Sequence, residues 1–235
     1  MALPPDTAES FVREVDENLR RDQMAARAKR FGGAAIAAVL LFLIAVGAYL
    51  YWQDRQRKAA EAATEQLTLT LQDVGAGRTA AAPAQFDALR QSDAAGVKAT
   101  AGLSRAALAL QQGDRKLAAT IYGDIAANED LAKPFRDLAL VRGTALEYDT
   151  LKPDQVIARL QPLATAGQPF FGSAGEMVGM ALIAKGQKAA AAQLFAKMAG
   201  DASVPESLRT RAVQVAGSLG FDASASLPTA STPAE

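Results

Sequence analysis

From Phe31 to Trp52 the chain reads FGGAAIAAVLLFLIAVGAYLYW, twenty-two consecutive residues without a charge. As a helix rising about 1.5 Å per residue, the run reaches about 33 Å, enough to cross a hydrocarbon core about 30 Å thick. Leu41 lies near its centre, and Tyr49, Tyr51 and Trp52 cluster at one end, where amphipathic rings favour the headgroup level. Arg27, Lys29 and Arg30 flank the other end. A buried core helix is rarely bounded so sharply by charges. The small residues Val46-Gly47-Ala48 allow a cleaved signal peptide, but thirty residues precede the run. It also exceeds the roughly 7 to 15 apolar residues of a signal core. The expectation is one uncleaved transmembrane helix over residues 31–52.

Positive charge sets the expected direction. Arg20, Arg21, Arg27, Lys29 and Arg30 precede the run, whereas Arg55, Arg57 and Lys58 follow it. The five-to-three bias favours a cytoplasmic N-terminus and an external C-terminal domain. Residues 8–30 read as a helix with acidic residues early and basic ones late, as the helix dipole prefers. Phe11, Val15 and Leu19 recur on it at i, i+4 and i+8 as a narrow apolar stripe. That stripe fits first a helix lying on the membrane surface and, as the alternative, a docking helix for a partner.

Beyond the apolar run the pattern changes. Residues 53–82 read as a juxtamembrane helix and linker, ended by Gly75-Ala76-Gly77 and the stretch 80–83. Residues 83–220 then carry an internal repeat. Gly113 and Gly186 stand 73 positions apart, and around them Ala118 matches Ala191, Tyr122 matches Phe195, and Ile125 matches Met198. Each window reads as helix, glycine turn, helix. The glycine suits the left-handed residue that ends a helix, the small alanine allows close approach, and the aromatic fills the gap. A 73-residue offset spans two units of tetratricopeptide size, about 34 residues each, with a degenerate unit between them. Within it, helices are expected over 134–148 and 154–166. A last helix over 205–219 caps the array, and residues 221–235 form a Pro/Ser/Thr/Ala-rich tail. The fold class expected is all-α: a transmembrane helix followed by a tetratricopeptide-like solenoid of helix hairpins.

Chemistry is hard to find. With no Cys and no His, the chain has no thiolate nucleophile, disulfide, imidazole-based triad or Cys/His zinc site. Twenty-five basic residues balance twenty-five acidic ones, so nothing global favours nucleic acid. Gly172-Ser173-Ala174-Gly175 lacks the spacing of a nucleophile elbow. Phe170-Phe171 after Pro169 fits inter-helix packing or a ligand-groove contact. No enzyme activity, cofactor or metal is expected.

These features resemble a known family, the ancillary Sec translocon subunits, also called YfgM-like. The resemblance is carried by FVREVDENLRRD at 11–22, the span opening at Phe31-Gly32, and the segments 106–127 and 179–200. It implies a bacterial inner-membrane protein with a periplasmic repeat domain, associated with the SecYEG translocon and periplasmic chaperones, and without catalytic residues. The readings that stay open beside it are a scaffold for envelope assembly or cell division, and a transmembrane regulator acting through helix 8–30.

Overall fold

The structure, a computed structural model, describes residues 5–223, with side chains at positions 20, 24, 29 and 30 and from 36 onward. The described residues form nine helices and no strand: α1 (Pro5–Gly75), α2 (Ala82–Leu89), α3 (Ala95–Gln111), α4 (Arg115–Ala127), α5 (Lys133–Glu147), α6 (Pro153–Leu160), α7 (Phe171–Ala184), α8 (Lys188–Gly200) and α9 (Glu206–Ser218). They divide into two compact units, Met1–Ala59 and Ala60–Glu235.

The first unit is helical throughout its described length. Every residue from Ile36 to Ala59 is exposed. Consecutive apolar residues at 100° steps leave no polar face, so the helix has nothing of its own to bury against. At the end of the apolar run the Tyr49 and Trp52 rings lie 6.3 Å apart. One turn on, Arg55 Nε donates to the Tyr51 hydroxyl at 3.1 Å and its guanidinium lies 5.6 Å from that ring. Lys58 pairs with Asp54 at 2.7 Å, an i, i+4 ion pair on an exposed helix surface.

The second unit is a stack of helix hairpins. Its first hairpin begins inside α1: Ala63, Leu67 and Val74 pack with Phe86 and Leu89 of α2 and with Val97, Ala101 and Leu108 of α3. Sequential helices then pack pairwise, and α3 also touches α5, α5 touches α7, and α7 touches α9. No such contact joins α4 to α6 or α6 to α8. The odd-numbered helices therefore form a continuous layer, and the even-numbered ones stand apart over it.

The 73-residue repeat is obeyed in detail. α4 and α8 differ by that offset at both ends, and α5 and α9 share it at their starts. Gly113 and Gly186 both take positive φ, +83° and +76°. The amides of Asp114 and Gln187 then reach back to the carbonyls of Ala109 and Leu182 at 2.8 and 2.9 Å, closing both helices with the same six-residue cap. The side chains of Asn128 and Asp201 accept from the amides of Asp130 and Ser203 at 3.0 and 2.9 Å, shaping the same joint into α5 and α9. The repeat also fixes close packing. A Cβ on Gly102 would meet Ile125 Cδ1 at 2.9 Å, and one on Gly175 would meet Met198 Sδ at 2.8 Å. By this register α9 opens a further hairpin.

The middle unit departs from the expected helix over 154–166. α6 ends at Leu160, because Pro162 offers no amide to continue it, and turns carry the chain to Phe170.

Candidate interaction surfaces

Three clefts open where the even-numbered helices stand apart. The first, about 70 Å³, lies between α2 and α4 over α3, where Arg90 bridges Asp87 and Asp124 at 3.3 Å each. The second, about 420 Å³, lies between α4 and α6 with α5 as its floor. The third, about 490 Å³, lies between the turns after α6, at 161–166, and α8, beside Phe171 and Leu182 of α7, and Lys197 stands at its wall. Alanine and glycine dominate the α4 walls of the second cleft, so backbone lies close to any occupant.

The opposite, odd-helix face is shallower. On α7, Phe171 and Leu182 look into the third cleft, whereas Ser173, Met177, Met180 and Ala184 follow an i, i+4, i+7, i+11 stripe on the far side. Met180 is 45% exposed, the one large apolar side chain that α2–α9 leave open. Thioether side chains adapt to varied partners. Nearby, Arg211 of α9 pairs with Glu176 of α7 at 2.5 Å, tying adjacent odd-numbered helices together.

The residues singled out in the sequence fall in three places. Ala118, Tyr122, Ala191 and Phe195 are buried between α3 and α4 or between α7 and α8, and Gly113 and Gly186 make the turns joining those helices. Phe195 packs so closely that a Cβ on Gly179 would come within 2.6 Å of its ring. Phe171 is buried among Phe195, Met198 and Val204, and Phe170 is half-buried at the start of α7. Leu41 and Trp52 are exposed on α1. Phe11, Val15, Leu19 and Phe31 lie on α1, and their side chains fall outside the described residues.

Burial raises the Tyr122 phenol above its ordinary value, opposed by the nearby Arg142 charge. Burial also raises Tyr148, with Asp149 adding to it. Asp201 is lowered, first by the Ser203 hydroxyl and then by the Ser203 amide. Among the described residues no three acidic side chains converge to hold a metal ion.

Sequence reasoning missed the buried Arg105. It occupies the α3 position that Val178 fills in the second copy of the repeat, and its Nε reaches Asp87 at 3.4 Å across the α2–α3 contact. Its place 73 residues before an apolar core position was the available signal.

The profile of the tetratricopeptide repeat-like domain family matches residues 28–215, taking in the apolar run of α1 as well as the hairpins. No curated protein and no solved structure matches the chain.

Proposed function

The chain belongs to the tetratricopeptide repeat-like domain family, and from that premise we propose that it is a membrane-anchored protein-interaction scaffold at the bacterial inner membrane. Residues 1–30 form its cytoplasmic helix and 31–52 its single span. A juxtamembrane segment over 53–82, a periplasmic repeat domain over 83–220 and a tail over 221–235 follow. As an ancillary subunit at the SecYEG translocon, it holds periplasmic chaperones or emerging clients close to the channel.

One observation carries this reading: a helix apolar enough to cross a membrane and bare on every described side lies in the same family match as the hairpin stack. Tethering confines weak binding surfaces near the exit of the channel, and short tethers raise effective concentration to about the millimolar range. The resemblance of 11–22 and 31–32 to the translocon subunits supplies the choice of partner. The five basic residues before the span, against three after it, favour the same direction.

Crosslinking in intact membranes, followed by mass spectrometry, tests it. Enrichment of translocon and periplasmic chaperone components is expected. Enrichment of division or peptidoglycan-synthesis proteins instead transfers the scaffold to envelope assembly, and absence of any translocon component overturns the proposed site of action.

A further inference from the structure

We propose that the cleft between α8 and the turns at 161–166 seats a protein segment carrying a large apolar side chain beside an Asp or Glu. The apolar group enters the cleft and the carboxylate meets Lys197. The inference rests on the protein-binding reading above and names the surface and the chemistry of the partner.

The cleft follows from a short helix. α4 and α8 each run thirteen residues, whereas α6 runs eight. Pro162 stops α6 early, so the five residues that would complete a thirteen-residue helix, 161–165, turn instead. Gln161, Ala164 and Thr165 of that stretch make one wall. The other wall is a single stripe of α8, with Ala190, Gln193, Leu194 and Lys197 at i, i+3, i+4 and i+7. Leu182 and Leu194 stay half-buried there. The volume of about 490 Å³ falls within the range of about 300–1,000 Å³ typical of clefts that bury a ligand.

Charge selects the occupant. Lys197 is exposed at the wall, and among the described residues it forms no ion pair or hydrogen bond. No Asp or Glu lines the cleft. The side chains of Gln161, Thr165 and Gln193 are likewise without a partner among the described residues, so the rim offers N–H and O–H donors around one ammonium. An ionised carboxylate only accepts, which matches that rim in charge and in hydrogen bonding. Leu194 and Lys197 stand about one helical turn apart, or about 4.5 Å along the axis. An extended chain rises about 3.3 Å per residue, so the acid sits one or two positions from the apolar residue.

The other two clefts lack this combination. In the cleft between α4 and α6 the cation, Arg159, is already held by Glu147 at 2.5 Å. In the cleft between α2 and α4, Asp124 supplies a carboxylate of its own and Arg90 is held by it and by Asp87. Its volume of about 70 Å³ also leaves no room for a large side chain. Of the three, the cleft beside α8 alone is lined by a cation and by no carboxylate.

The test uses the full-length chain in lipid nanodiscs and a random library of peptides of about twelve residues. All C-termini are amidated, so that only side-chain carboxylates are available. The wild-type chain is expected to enrich Asp or Glu within two positions of Leu, Met or Phe. Lys197→Gln should weaken the selected peptides about fivefold, the upper end for an ion pair open to water. Lys197→Glu should reverse the selection toward Lys and Arg, which a structural role for Lys197 would not produce. Ala190→Leu should weaken binding at least as much as Lys197→Gln by filling the cleft. Ala190 is exposed on α8 and leucine is a good helix former, so an unchanged unfolding temperature separates occlusion from misfolding. Lys188→Gln, the same charge change on α8 outside the cleft, should leave binding unchanged. Absence of acidic enrichment, or binding that survives both Lys197→Gln and Ala190→Leu, overturns the inference. Enrichment that emerges only after residues 224–235 are deleted makes that segment the occupant and overturns a separate partner. None of these results bears on the crosslinking above, whose failure removes the translocon scaffold whatever the library returns.

Discussion

Two helices of this chain are unusually apolar, and they meet opposite fates. The run within α1 is exposed at every position from Ile36 onward, with Leu41 68% and Phe42 66% open. α7 is also apolar, yet Phe171, Ala174, Val178 and Ala181 are each 1% exposed or less. Composition alone does not separate them. α7 has glycines at 172, 175 and 179, which let Val204, Met198 and Phe195 close onto its backbone. The α1 run is apolar on all faces, and its residues from Ile36 onward are all exposed. Apolar residues that come with small-residue contacts build a core, whereas those of α1 form an unbroken cylinder long and apolar enough to cross a membrane.

The sharpest way to break that comparison is to truncate one aromatic on each side. Phe195→Ala should cost the repeat unit about 3–5 kcal/mol in chemical denaturation, since it empties a fully buried site against Gly179. Phe42→Ala in α1 should change the same unfolding transition by less than about 0.5 kcal/mol. A charge reverses the ranking. Leu41→Arg should cost about 2.5–3.5 kcal/mol in membrane insertion, lowering the membrane fraction on alkaline extraction while leaving the unfolding midpoint of the hairpins in place.

Smaller changes sharpen the likeness between the two copies of the repeat. Asp114 caps α4 by accepting from the Leu117 amide at 2.9 Å, while Gln187, its counterpart, makes no such bond at the start of α8. Gln187→Asp should therefore stabilise by about 0.5–1 kcal/mol and Asp114→Ala should destabilise by about 1 kcal/mol, both read from denaturation midpoints.

The smallest effect expected is a pH dependence. Hydrogen bonds from Ser203 hold the Asp201 carboxyl below its usual range. Its stabilisation is therefore present above the unfolded-state value and lost as pH falls through the lower folded one, below about pH 4. Asp201→Asn keeps the turn, as Asn128 does at the equivalent joint, and should flatten the acid limb of the stability profile by lowering the neutral-pH midpoint slightly, toward the acid-side value.

Much of this was legible in the sequence because it depends on local spacing. Uncharged length gives the apolar span, and the glycine, alanine and aromatic positions around 113 and 186 give the hairpin register. The share of α1 in the first hairpin was hidden. Leu67 and Thr70 are buried among Glu, Gln and Thr that read as a solvated helix, and Thr70 satisfies its hydroxyl on its own helix, at the Gln66 carbonyl 2.7 Å away. The clefts were illegible for another reason. They arise from which helices fail to touch, and no local pattern encodes a gap between α4 and α6.

The most direct measurement is of topology. A reporter enzyme that folds only outside the cytoplasm, fused at residue 75 in one fusion and at the N-terminus in another, reads the direction of the span. The account predicts activity from the fusion at residue 75 and none from the N-terminal fusion. The reverse pattern, or equal activity from both, would contradict a repeat scaffold held on the far side of the membrane.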